Sequence, residues 1–313
     1  MLARTADSLF WLARYVERAE NVARIVAVAY RMASVARSLG SVGNEWLSTL
    51  IATGCEPGFF AKYSEALAAD VIDYLVYDPD NPSSIVSCLE TARRNARAVR
   101  TALTADMWEA LNGTWHGARE RAQRSRAGDV MDFLEWIRER SQLFDGAYDS
   151  TMLRNDAFYF TRLGTFIERA DCTARILDVK YYVLLPQGEA VGGALDYYQW
   201  QSILRSVSAL RSYHWIYHER LQPWLVAEFL ILRPEMPRSL LSCFTEITRD
   251  LDRIAVAYGG KRGECHRRAG EMHAKLHYAK IETIFQSGLH EFLTDFIDGS
   301  IVLGAEISNL YLA

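Results

Sequence analysis

Residues 15–30, YVERAENVARIVAVAY, decide the fold, because the chain repeats them at 166–181 as FIERADCTARILDVKY. Glu17, Arg18, Ala19, Ala23, Arg24, Ile25, Val28 and Tyr30 fall on Glu168, Arg169, Ala170, Ala174, Arg175, Ile176, Val179 and Tyr181. In the first copy apolar side chains recur every three or four residues. On a helical wheel Leu12, Tyr15, Ala19, Val22, Ala23 and Val26 share one face, and Arg14, Glu17, Glu20, Asn21 and Arg24 share the other. The stretch therefore reads as an amphipathic helix that occurs twice.

Two more pairs follow in the same order. VIDYLVYDPDNPSSIVSC (71–88) matches VAEFLILRPEMPRSLLSC (226–243), so that Pro79, Pro82, Ser84, Ser87 and Cys88 meet Pro234, Pro237, Ser239, Ser242 and Cys243, and Asp73 meets Glu228. DFLEWIRERSQLFDGA (132–147) lies against EFLTDFIDGSIVLGAE (291–306). Ordered matches of this kind predict a tandem duplication, 1–150 and 151–313, packed as one unit about a pseudo-two-fold axis. Helical periodicity also runs through 83–103, 129–147, 157–184, 197–219, 238–257, 266–285 and 289–308, which predicts an all-α bundle of roughly ten helices. The best strand candidate, VIDYLVY (71–77), reads equally well as buried helix. Breaks are expected at Gly40–Asn44, Asp78–Ser83, Gly188–Gly193, Arg233–Arg238 and Gly259–Gly263.

Composition narrows the class. Of 313 residues half are hydrophobic and 12% aromatic, with only 7 Pro and 19 Gly, which excludes disordered and collagen-like chains. Thirty-five basic against 39 acidic residues give −4, so a nucleic-acid binder is disfavoured. Charges interrupt the apolar run of the first twenty residues, unlike a signal peptide, and no stretch approaches the length of a membrane span. The 5 Cys are scattered without a CxxC, as expected of buried thiols in a cytoplasmic protein.

These segments resemble the bacterial alpha-E family, an all-α domain with characteristic glutamates. LARTADSLFWLARYVERAENVARIV, YDPDNPSSI, ARRNARAVR, MWEALN, FIERADCTARILDVKYY, VAEFLILRPEMPRSLLSC and GLHEFLTDF carry the resemblance over essentially the whole chain. Arg94 departs from it, standing where an acidic residue is expected before the Asn-Ala-Arg of 95–97. The resemblance implies company more than chemistry. Such proteins are encoded beside, or fused to, a circularly permuted ATP-grasp ligase and a transglutaminase-like peptidase, which suggests a pathway making and trimming amide bonds. It supplies no catalytic residues.

Each charged constellation has a bland reading beside the functional one. Glu17, Glu20 and Arg24, flanked by Arg14, with Glu168, Asp171 and Arg175 as their second copy, form a solvated face, a structural clamp between the halves, or a polar pocket. In a pocket the arginines would hold a carboxylate or phosphate and the glutamates an amine. A di-metal carboxylate site is disfavoured, because Glu-x-x-His pairs are missing and arginines stand beside the acids. His266, His273 and His277 share one helical face and are the weak metal alternative, as are His214 and His218. Pro82 and Pro237 suit a first helical turn, with Ser84 and Ser239 near free backbone N–H groups; Glu228, Arg238 and Ser239 are candidate anion or substrate contacts. The arginine-rich stretches at 93–100 and 119–126 read as solvated helix faces. No nucleophile elbow, peptidase-like Cys–His signature or phosphate loop is present, and no cofactor is expected.

The sequence thus predicts a non-catalytic accessory protein of an ATP-grasp amide-ligase system. It would bind the ligase, its peptide or amino-acid-like substrate, or both, without nucleic acid or membrane and with homo-oligomerisation open. The alternatives are an enzyme that uses the paired Glu/Arg helices for amide chemistry, and a structural dimerisation scaffold.

Overall fold

Residues 3–38 contain neither proline nor glycine, and one uninterrupted helix, α1 (Ala3–Ser38), runs through all 36 of them. The computed structural model describes residues 1–38, 45–126, 128–182 and 193–312. After α1 come α2 (Glu45–Thr53), α3 (Glu56–Phe60), α4 (Ala68–Ile72), α5 (Ile85–Ala98), α6 (Ala105–Ser125) and α7 (Val130–Thr151). The repeat helix α8 (Asp156–Tyr182) leads to α9 (Ala194–Ser206), α10 (Leu210–Tyr217) and α11 (Pro223–Ile231). Last are α12 (Leu240–Ala257), α13 (Glu264–Tyr278), α14 (Ile281–Ser287) and α15 (Leu289–Ile307). The all-α expectation holds, with fifteen α-helices and no strand among the described residues.

The helix number exceeds the expected ten for local reasons. The stretch 197–219 divides at Ser208, whose positive φ of 59° ends one helix and allows the next to restart. The stretch 266–285 divides at Ala279, where the backbone is extended. Helices of five to nine residues, such as α3 and α4, are too short to show periodicity. VIDYLVY is helical: α4 passes into a π-helical turn over Asp73–Tyr77. The expected breaks at 78–83, 233–238 and 259–263 fall between helices, whereas Gly40–Asn44 and Gly188–Gly192 lie outside the described residues.

Ser84 and Ser239 correct one expectation. Each is the N-cap of its helix, not a first-turn residue, and accepts the N–H of Ser87 (3.2 Å) or Ser242 (3.0 Å). Pro82 and Pro237 therefore stand before the helices rather than in their first turns.

α1 and α8 are central. α1 packs on α8, α5, α7 and α9, and α8 packs on α12, α15 and α2. Side chains of α1 enter all three apolar clusters of the molecule: Phe10 and Met32 in one, Val22 and Val26 in another, Leu9 and Leu12 in the third. A helix surrounded in this way is buried all round, so its polar stripe is buried as well. Where α1 and α8 come closest, Gly164 faces the backbone of Phe10 and the methyl of Ala13.

Candidate functional site

The polar stripes of α1 and α8 meet face to face. Glu17 is 2% exposed and Glu168 4%, which removes the solvated-face reading. Burying a carboxylate is costly unless it is paired and hydrogen-bonded, and each is held by the arginine that follows the glutamate in the other helix. Arg18 donates to Glu168 through Nε (2.5 Å) and Nη2 (3.0 Å), and Arg169 donates to Glu17 through Nη2 (2.8 Å). A second arginine completes each pair: Arg14 Nε to Glu168 (2.8 Å) and Arg238 Nη1 to Glu17 (3.0 Å).

The reciprocity extends one turn further. Arg24 binds Glu20 through Nε at 2.9 Å and reaches the Ser206 carbonyl, while Arg175 binds Asp171 at 2.7 Å and the Ala52 carbonyl at 3.0 Å. Just beyond those carbonyls Gly54 (φ 67°) and Ser208 (φ 59°) both take the left-handed conformation. The two sides differ in two places. Arg238 also bonds Glu20 (3.0 Å), tying Glu17 to Glu20, whereas the residue before the other cap serine is Ser83. Asp145, from α7, accepts from Arg169 Nη2 at 2.9 Å.

The electrostatics follow from this geometry. Burial raises the Glu17 carboxyl, but Arg169 and Arg238 outweigh it and hold it at about 2. Arg18 and Arg14 do the same for Glu168, also at about 2 against its burial. Asp145 is pushed up to about 7, first by burial and then by Glu17 and Glu20, with Arg169 opposing. Burial, with Arg238 nearby, lowers Arg24 to about 10.

A cleft of 240 Å³ opens beside one half of this network, lined by Arg18, Asn21, Ser83, Glu168, Asp171 and Arg175 among others. Asn21 donates to the Glu168 carbonyl at 3.2 Å, and its buried Oδ1 has no partner among the described residues.

Arg14, Glu17, Glu20, Arg24, Glu168, Asp171 and Arg175 thus lie in one junction. Arg238 joins them, which corrects its reading as a free anion contact: it is buried between two glutamates. Glu228 and Ser239 do not gather around it. Glu228 pairs with Arg233 at 2.8 Å, and the Ser239 hydroxyl donates to the Arg233 carbonyl at 2.6 Å. The histidines are directed to neighbours of their own: His266 caps α13 through Gly263 N–H (3.2 Å) and His273 meets Thr245 (3.1 Å). Among the described residues the one carboxylate group close enough for a cation is Glu17, Glu20 and Asp145, with oxygens within 4.8 Å. The guanidinium groups of Arg169 and Arg238 already bond those acids. Asp145 and Ser83 were missed because nothing in their local sequence marks them, and Arg18 and Arg169, visible in the repeat, were not singled out as site residues. The aligned repeat did hold one clue, the Ser83–Arg238 mismatch. The five cysteines are buried free thiols, and the arginine-rich faces stack on aromatic rings, with Arg93 over Trp115 at 3.9 Å.

Comparison with known proteins follows this geometry. The sequence model of the Alpha-E family, described as a predicted alpha-helical domain with a conserved ER motif, matches residues 1–312. The Glu17–Arg18 and Glu168–Arg169 pairs are the ER dipeptides that cross-link α1 and α8. Uncharacterized proteins of Mycobacterium bovis and Mycobacterium tuberculosis are each 24% identical over 321 residues, 95% of this chain and 35% of theirs. The chain therefore spans about a third of the length of these curated relatives. No solved structure matches. No helix among the described residues is long and apolar enough to cross a membrane.

Proposed function

The chain belongs to the Alpha-E family, and from that premise we propose that it is a non-catalytic accessory module of an ATP-grasp amide-ligase system. In this reading the protein arose by tandem duplication, works in the cytoplasm beside a circularly permuted ATP-grasp protein and a transglutaminase-like peptidase, and binds the ligase or its amino-acid-like substrate. One observation carries it. Both motif glutamates are buried and each is held by two arginines, at least one of them from the opposite helix, with carboxyls near 2. A general base for neutral pH needs a pKa near the working pH and an open lone pair. Glu17 and Glu168 have neither, so they clamp α1 to α8. The reciprocal Arg18–Glu168 and Arg169–Glu17 pairs support the duplication. The greater length of the relatives, of which this chain covers 35%, suits a module that works beside other domains.

Asp145 favours the enzyme as second reading, because its carboxyl sits near neutrality at the edge of the cluster.

Co-purification with the neighbouring ATP-grasp protein tests the accessory reading. Wild-type protein is expected to form the complex. Glu17→Ala and Glu168→Ala are expected to lose about 3–5 kcal/mol of stability in circular dichroism melts, the cost of stranding buried guanidinium charge. A wild-type chain that forms no complex sinks the reading; variants that melt normally sink the clamp.

A further inference from the structure

The two sides of the α1–α8 junction are the same device built twice, filled on one side and open on the other. On the filled side Arg238, the residue before the cap serine of α12, inserts its guanidinium between Glu17 and Glu20. On the open side the residue before the cap serine of α5 is Ser83, too short to reach, and the 240 Å³ cleft lies there instead.

The charges differ in a telling way. On the filled side Arg24, Arg169 and Arg238 face Glu17, Glu20 and Asp145, three cations against three acids. On the open side Arg14, Arg18 and Arg175 face only Glu168 and Asp171, which leaves one positive charge in excess. On the open side, residues that line the cleft have hydrogen-bonding capacity unspent. Arg18 spends Nε and Nη2 on Glu168, and Arg175 spends Nε and Nη1 on Asp171 and Ala52, so Arg18 Nη1 and Arg175 Nη2 carry no hydrogen bond among the described residues. Asp171 accepts through Oδ2 alone, and Asn21, 4% exposed, has an unpartnered Oδ1. A buried acceptor left unpaired is destabilising, and a ligand donor would relieve that.

We propose that this cleft binds a small α-amino carboxylate, its carboxylate bridged by Arg18 and Arg175 and its ammonium held by Asn21 and Asp171. The carboxylate meets the unspent guanidinium donors, which suit planar anions, and the ammonium meets the unspent acceptors, so the zwitterion as a whole adds no net charge. The ammonium takes beside Asp171 the place that Arg238 takes beside Glu20. With a volume of 240 Å³, the cleft is large enough for an amino acid and too small for a folded peptide.

The proposal deepens the accessory reading and rests on it for its biological sense. Its test uses the isolated full chain, so ligand binding and complex formation fail separately. In isothermal titration L-alanine is expected to bind, with propionate and L-alaninamide at least tenfold weaker. Ser83→Arg, supplying on this side the guanidinium that Arg238 supplies on the other, is expected to abolish L-alanine binding. Should that variant misfold, Ser83→Leu fills the same space without charge and is expected to block binding too. Absence of L-alanine binding to the wild type overturns the proposal, as does equal binding of propionate or unchanged binding in a folded Ser83 variant.

Discussion

Four acids dominate the response of this protein to pH, and they pull in opposite directions. Glu17 and Glu168 have folded-state carboxyls lowered from the ordinary 4.5 to about 2, so their contribution is complete above about 4.5 and is lost as pH falls towards 2. Asp145 and Asp250 behave inversely. Burial raises both from 3.8 to about 7, so ionising them in the fold costs stability that disappears progressively as pH rises from 3.8 to 7. The melting temperature is therefore expected to peak in mildly acid solution, near pH 4, and to fall on both sides. Melts between pH 2 and 8 check this, and Asp145→Asn with Asp250→Asn should flatten the arm towards neutrality only. A maximum at or above neutrality would contradict the assignment. The glutamates at the centre of this behaviour were legible in the sequence because they repeat. Asp145 and Asp250 were not, since each meets its arginine across a long stretch of chain, and long-range pairing leaves no local pattern.

Among the elements, α1 and α8 show where sequence reading stops. Their periodicity marks them as helices, and the doubled motif marks their polar faces as related. Periodicity cannot tell a polar stripe in water from one pressed against a second polar stripe, because both put charges opposite the apolar face. The same limit hid the short helices, which make too few turns to set a period. Gly164 shows how close the two helices lie. Replacing glycine by alanine inside a helix ordinarily gains about 0.5–1 kcal/mol. Here a Cβ would strike the Phe10 carbonyl, which belongs to helix backbone and cannot swing aside, and overpacking typically costs about 1–3 kcal/mol. The clash wins. Gly164→Ala is expected to lower the urea midpoint of unfolding; a higher midpoint would mean that the helices can part at little cost.

For the whole molecule, the halves seen in sequence are not independent in space. α1 lies against α9 as well as α8, and α8 against α2, so each half holds helices of the other. Fragments 1–152 and 153–313, made separately, are expected to be protease-sensitive and poorly folded. Co-expressed, they should associate and recover native circular dichroism. Stable folding of either fragment alone would show that the junction joins two finished domains. That the molecule is all helical, and that two of its helices carry one motif, could be read from the sequence; their burial at the centre could not, because it depends on what surrounds them.

The crossing of α1 and α8 also has a consequence for synthesis. α1 leaves the ribosome well before α8, yet the arginines that neutralise Glu17 are Arg169 and Arg238, far along the message. At about 5–20 residues per second, the nascent chain carries an incompletely covered helix for many seconds. During that interval another copy of the helix offers a match, since Glu17–Arg18 on two growing chains presents the same complementary pair that the finished protein makes within one. Polysomes, where such chains emerge side by side, are the setting in which this protein is most exposed to pairing with the wrong molecule.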